Sequence, residues 1–194
     1  MKFLALAAAA ALFSTSTAFA QISELKIMAP SAPGGGWDQT ARTIQSTLQA
    51  EGLVSNIQVE NVVGAGGTIG LQQFVNNSNG DGSATIVGGY VMVGAIIAND
   101  SPVSLADVTP IARLTGEYVV VVAPANSEID NAEQLAETLR NDPGAVTWAG
   151  GSAGGVDHIA AGMFAKAAGA DPAAINYIPY SGGGEALAAL LGNQ

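Results

Sequence analysis

Three glycine-rich stretches hold the residues of this sequence best suited to ligand chemistry. Pro33-Gly34-Gly35-Gly36-Trp37-Asp38 separates a short apolar run from an amphipathic segment. Gly64-Ala65-Gly66-Gly67-Thr68 and Gly150-Gly151-Ser152-Ala153-Gly154-Gly155 repeat the design, each after a β-like run and before a helical one. Glycine lets the chain turn tightly and lets a ligand approach the main chain. The first turn of a helix contributes unpaired N–H groups and the positive end of its dipole. Loops of this kind hold a small anion through backbone.

The side chains within these stretches have competing readings. Asp38 stands where a helix cap belongs, and the other use for its carboxylate is recognition of a ligand ammonium group. The Thr68 hydroxyl either donates to a ligand carboxylate or caps the helix through Leu71. Trp37 either walls the site with its ring or fills core. Arg42, one turn into its helix, has Asp38 and Glu51 as pairing partners. Gly34, Gly35, Gly36, Gly66, Gly67, Gly151, Ser152, Ala153 and Gly154 offer main-chain groups, with the Ser152 hydroxyl in addition.

Other chemistries fit less well. Gly150-Gly151-Ser152-Ala153-Gly154 matches the G-x-S-x-G nucleophile elbow of serine hydrolases, which makes an α/β hydrolase using Ser152 the alternative reading. A triad needs a histidine arriving late in the chain, however. His158, the one histidine, follows Ser152 on the same predicted helix and reads as structural. No catalytic residue is therefore assigned. A dinucleotide fingerprint fails at Ile69, which stands in place of the third glycine, and no Walker lysine follows any loop. Asn77, Asn79, Asp81 and Gly82 brush the start of a calcium loop, but Gly88 replaces the closing glutamate, so the segment reads as a plain turn. A lone histidine with no cysteine makes no zinc site. Neither a metal nor a cofactor is expected.

Composition narrows the partners. Lys2, an apolar stretch from Phe3 to Phe13 and the small-residue pattern Ala18-Phe19-Ala20 read as a secretory signal over residues 1–20, which predicts export to the periplasm. The 194-residue chain has 6 basic and 16 acidic residues and no cysteine. Nucleic acid is excluded as a partner, because phosphate neutralisation needs clustered Lys and Arg. An acidic chain can still bind an anion. Overall charge is screened over about 8 to 10 Å in salt, whereas loop N–H groups act at contact.

The loops must be positioned by the elements around them. Strand-like runs lie at Leu25–Ala29, Asn56–Val62, Ala84–Gly88, Tyr118–Ala123, Ala145–Ala149 and Ile175–Pro179. Helical faces are predicted from Ala41, Ile44 and Leu48; from Leu135 and Leu139; from Ile159, Met163 and Phe164; and from Ala186, Leu187, Leu190 and Leu191. This alternation predicts an α/β fold with helix-covered parallel sheets. A boundary falls near Ala123-Pro124-Ala125-Asn126-Ser127, giving a first lobe over 21–123 and a second over 124–194.

The order "PGGGWDQTAR", "VVGAGGTIGLQQF", "WAGGSAGGVDHIAAGMFAKAAG" and "YIPYSGGGEALAALLGNQ" resembles the substrate-binding proteins of tripartite tricarboxylate transporters over nearly the whole sequence after the leader. The resemblance implies a two-lobed periplasmic binding fold of type II-like form. Such a fold closes on a citrate-like tri- or dicarboxylate and delivers it to integral-membrane permease subunits; a monomer is expected. It places carboxylate-binding loops at Pro33 to Asp38, Gly66 to Thr68 and Gly151 to Gly154. The family's chains run past the helix that follows Gly182-Gly183-Gly184, so the resemblance also implies a second lobe incomplete at the C-terminus.

Overall fold

The computed structural model describes residues 22–192. The expected leader, residues 1–20, lies outside the described residues. Two parallel sheets organise the chain, each with its own helices and apolar cluster.

The first unit comprises β1 (Glu24–Ala29), α1 (Gly36–Ala50), β2 (Asn56–Asn61), α2 (Thr68–Asn77), β3 (Ala84–Ile86) and α3 (Tyr90–Ala98). Its strands run in the order β2-β1-β3, with Ile27 opposite both Val59 and Thr85. On β1, Leu25, Ile27 and Ala29 alternate with more exposed neighbours, so one face is buried. Ala41 of α1 is also fully buried against this face, and Ile44 and Leu48 pack around the same cluster. The spacing-predicted face of α1 is therefore its core face.

The second unit comprises α4 (Ala132–Asn141), β4 (Thr147–Gly150), α5 (Val156–Ala168), β5 (Asn176–Pro179) and α6 (Gly183–Leu191), with β4 and β5 parallel. Asn131 caps α4 by accepting N–H bonds from Glu133 and Gln134. Leu135 and Leu139 pack with Ala165, Trp148 and Phe164. These elements follow the α/β alternation expected from sequence.

Three expectations are corrected. Tyr118–Ala123 forms no strand: no described strand pairs with it, and Tyr118 is 96% exposed. A β-branched run sets local preference, but a strand exists only when an edge accepts its hydrogen bonds. On α5, Ala161 and Ala165 face inward while Ile159 and Met163 stand exposed. On α6, Ala186 and Ala189 are buried while Leu187 and Leu191 are exposed. Small residues let a helix approach its neighbours closely, so at both helices alanine outranks the larger apolar side chains. No helix among the described residues is long and apolar enough to cross a membrane.

Candidate functional site

The glycine loops follow the C-terminal ends of β1, β2 and β4, the rim where open α/β sheets bind ligands. Loop 1 is stiffened from within. Asp38, 2% exposed, accepts hydrogen bonds from the Gly34 N–H at 2.8 Å, from Arg42 Nε at 3.0 Å and from Asn61 Nδ2 at 2.9 Å. The Arg42 hydrogen bond, helped by those of Gly34 and Asn61, holds the Asp38 carboxyl at about 2, below the usual 3.8, against the opposing effect of burial. Asp38 is thus neither the helix cap nor a free acceptor. Gly35 occupies the cap position, and Asp38 reaches back from the first turn to hold Gly34 at φ 81°. Arg42 is committed to Asp38 and reaches Asn61 as well.

Trp37 joins loop 1 to loop 2. A Cβ at Gly67 would stand 2.7 Å from the Trp37 ring and 2.9 Å from Met92 Cε, so the ring lies directly beneath that glycine. Gly66 and Gly67 both have positive φ, at 63° and 91°. Thr68 Oγ1 donates to the Ala65 carbonyl at 2.9 Å, closing the loop on itself; Gly67 is the cap of α2. The hydroxyl hydrogen is used within the loop, leaving its oxygen only as an acceptor.

Loop 3 is also built around an aspartate. Asp157 accepts the Gly151 N–H at 2.7 Å, and Tyr177 Oη donates to the Gly151 carbonyl at 2.8 Å. Burial, with the Asp157 charge second, pushes the Tyr177 hydroxyl well above its ordinary range, so it remains a donor. His158 stacks on Tyr177 with centroids 4.3 Å apart, and its Nδ1 accepts the Gly154 N–H at 3.1 Å. An imidazole accepting at Nδ1 cannot also donate there to an orienting carboxylate, as a triad requires. Among the described residues no hydrogen bond joins Ser152 to His158, and α5 starts at Val156, beyond the serine. Ser152 therefore lacks the setting of a nucleophile elbow.

These loops meet one another. The position a Cβ would take at Gly66 is 3.6 Å from Ser152 Cβ, which places loop 2 against loop 3. Ser181 and Gly182, leading into α6, form a fourth loop, where a Cβ at Gly182 would lie 3.5 Å from Gly35 Cα. Loops 1 and 4 border a cleft of about 250 Å³, walled by Ala32 to Gly35, Gly182, Gly184, Glu185 and Ala188. Among the described residues, the N–H groups of Gly36 and Trp37 in the first turn of α1, and of Ser152 and Ala153 in loop 3, have no protein acceptor. They are free to bind an anion. No group of three or more His, Cys, Asp or Glu suited to a metal occurs among the described residues, and Asp81 in the 76–82 turn binds Ser83.

Sequence reasoning missed α3. A Cβ at Gly66 would overlap Ala95, and one at Gly94 would overlap the Gly154 carbonyl oxygen, so this helix wedges between loops 2 and 3. The signal available was a nine-residue apolar run, YVMVGAIIA, interrupted by a single glycine. Ser31 was missed too. Its hydroxyl is buried without a partner among the described residues, 3.2 Å from where a Cβ on Gly35 would stand.

Comparison with known proteins agrees with this architecture. The family model "Tripartite tricarboxylate transporter family receptor" matches residues 40–194. The protein BugT of Bordetella pertussis is 31% identical over 172 residues, which are 87% of this chain and 51% of BugT. The chain spans about half the length of the curated relatives it matches. The solved structure of MatC from Rhodopseudomonas palustris with bound malate is 26% identical and superposes with a TM-score of 0.74, over 87% of this chain and 57% of that one. The periplasmic binding protein BugD shares the fold at 24% identity and a TM-score of 0.64, over 89% of this chain and 56% of BugD. The parallel-sheet α/β architecture is that of periplasmic binding proteins. This chain belongs to the tripartite tricarboxylate transporter receptor family.

Proposed function

We propose that this protein is a periplasmic receptor that captures a small organic carboxylate, a di- or tricarboxylate of citrate-like kind, and passes it to integral-membrane permease subunits. The carrying observation is the convergence of four glycine loops that leave the N–H groups of Gly36, Trp37, Ser152 and Ala153 without protein acceptors. Supporting it, MatC, a relative in structure, has bound malate. In this reading the first lobe spans 21–123 and the second 124–194, residues 1–20 direct export, and the receptor acts as a monomer without covalent chemistry. Loop 1 offers the N–H groups of Gly36 and Trp37, with Asp38 holding Gly34 and the loop in shape, and Gly66 to Thr68 of loop 2 line the approach. Loop 3 offers the N–H groups of Ser152 and Ala153 between Gly151 and Gly154, whose own N–H groups hold the loop on Asp157 and His158, and bridging waters complete the contacts. Capture is followed by closure of one lobe on the other.

Thermal shift of the protein against a panel of organic acids tests the proposal. A ligand at a hundred times its dissociation constant adds about 2.7 kcal/mol of stability. A panel of mono-, di- and tricarboxylates that leaves the melt unmoved at millimolar concentration refutes it.

A further inference from the structure

Loop 3 is tied at both ends to the first turn of α5. Asp157 takes the Gly151 N–H at 2.7 Å and His158 Nδ1 takes the Gly154 N–H at 3.1 Å, so the N–H groups of Ser152 and Ala153 lie between two ties. A backbone N–H only donates, and the imidazole nitrogen that receives it is therefore unprotonated. The second tie belongs to one charge state of the histidine. No other acceptor takes the Gly154 N–H among the described residues. Gly154 itself stands at φ 76°, and a Cβ there would lie 2.6 Å from Ala98 of α3, so the backbone at this tie is closely packed. Two titratable groups adjoin His158: Asp157, its neighbour in sequence, and Tyr177 of β5, stacked on the ring at 4.3 Å. Of the other elements packed on α5, α4 carries Glu133, Glu137 and Arg140, the last reaching the Ala168 carbonyl at the far end of the helix. Helix α3 carries Tyr90, 82% exposed, the turn at 172–174 follows Asp171, which holds the Ala173 N–H, and β4 carries no charge. Lys166 lies two turns along α5.

We infer that His158 is a proton-sensitive latch on loop 3: neutral, it holds the Gly154 N–H and keeps the loop set for a carboxylate; protonated, it releases the loop and affinity falls. The consequence for the ligand rests on the receptor reading above; the latch itself does not. Protonation places an N–H on Nδ1, directly facing the Gly154 N–H. Turning the ring over gives no relief, because both nitrogens of an imidazolium are donors. The tie must break. The latched loop binds fewer protons than the released one, so the latch is complete at high pH and is lost as pH falls. Histidine is the side chain whose ordinary titration lies between about pH 5 and 8, which sets the window. The imidazolium charge also attracts an anion, an effect of opposite sign, but at a partly exposed ring it is screened by salt. The tie instead acts on the backbone that carries the Ser152 and Ala153 N–H groups.

NMR of the full chain without ligand, titrated from pH 8 to pH 5, tests the latch. The Gly154 amide proton is expected to move upfield and to exchange faster with solvent, with the same midpoint as the His158 ring protons. A Gly154 amide that stays unmoved while the His158 ring titrates overturns the inference. The second arm is calorimetry with malate, succinate and citrate at pH 8 and pH 6, on the full chain and on His158→Asn. The asparagine Oδ1 offers Gly154 an acceptor that does not titrate, and the ligand's own titration is common to both proteins and cancels between them. Affinity in the unaltered protein is expected to fall with acid by up to about tenfold more than in His158→Asn, the worth of one hydrogen bond. Equal pH profiles in the two proteins, or an affinity that rises in acid only where His158 is present, overturn the control of binding by the latch and leave the receptor reading standing. Absence of binding by the whole carboxylate panel overturns the receptor reading, and the Gly154 titration then decides the latch alone.

Discussion

Replacing Asp38 by asparagine removes little volume but reverses the logic of its surroundings. Three donors converge on the carboxylate: the Gly34 N–H, Arg42 Nε and Asn61 Nδ2. Asparagine keeps one acceptor oxygen and turns an NH₂ group towards donors. Lowering the carboxyl from 3.8 to about 2 in the folded state corresponds to about 2 kcal/mol at neutral pH, with Arg42's exposed side reducing the figure somewhat. An unmatched buried donor adds about 1 kcal/mol or more. The expected loss is therefore about 2 to 4 kcal/mol, or roughly 5 to 15 °C in melting temperature for a chain of this size. This departs from what a simple helix cap would do, since asparagine caps as well as aspartate. The pH dependence follows from a depressed carboxyl. The stabilisation is complete above about 3.8 and is lost as pH falls through about 2, so the gap between the two proteins should close in acid. Urea melts of both proteins at pH 7 and near pH 2.5 measure it. A difference below about 0.5 kcal/mol at pH 7, the ordinary scatter for surface changes, refutes the assignment of Asp38 as the structural anchor of loop 1.

Other perturbations probe the remaining loops. Gly94→Ala drives a methyl into the Gly154 carbonyl, so overpacking of about 1 to 3 kcal/mol is expected together with a weakened carboxylate affinity, read by melting and calorimetry. Gly66→Val adds a side chain at φ 63° against Ala95 and should abolish binding more completely than Arg42→Ala, whose partner is Asp38 and not the ligand. Tyr177→Phe keeps the stack on His158 but leaves the Gly151 carbonyl without its donor, costing about 1 kcal/mol in stability. Ser152→Ala should cost at most about tenfold in ligand affinity, and assays with activated esters should show no hydrolysis that the substitution abolishes.

Much of this architecture was legible from local sequence. Strands around Leu25, Asn56 and Ala84, and helices opening at the glycine loops, stand where periodicity and glycine spacing put them. The roles of the side chains were harder to read because they depend on neighbours distant in sequence. Asn61 lies 23 residues from Asp38 and Tyr177 lies 26 from Gly151, and no local pattern pairs them. Helix α3 escaped for a different reason. Its apolar residues surround the axis almost evenly, so no amphipathic stripe marks it, and its packing value lies in Gly94 and Ala95, where side chains are small. Tyr118–Ala123 shows the converse, a strong β preference with no described strand to pair with.

The central claim is that backbone N–H groups of the glycine loops hold the carboxylate. Backbone amide NMR of the protein, titrated in turn with succinate, malate, aspartate and citrate, tests it at the atoms concerned. For at least one acid, the amides of Gly36, Trp37, Ser152 and Ala153 should shift together and saturate with one dissociation constant. Saturable shifts confined to residues outside the four loops, or none with any of these acids, contradict it.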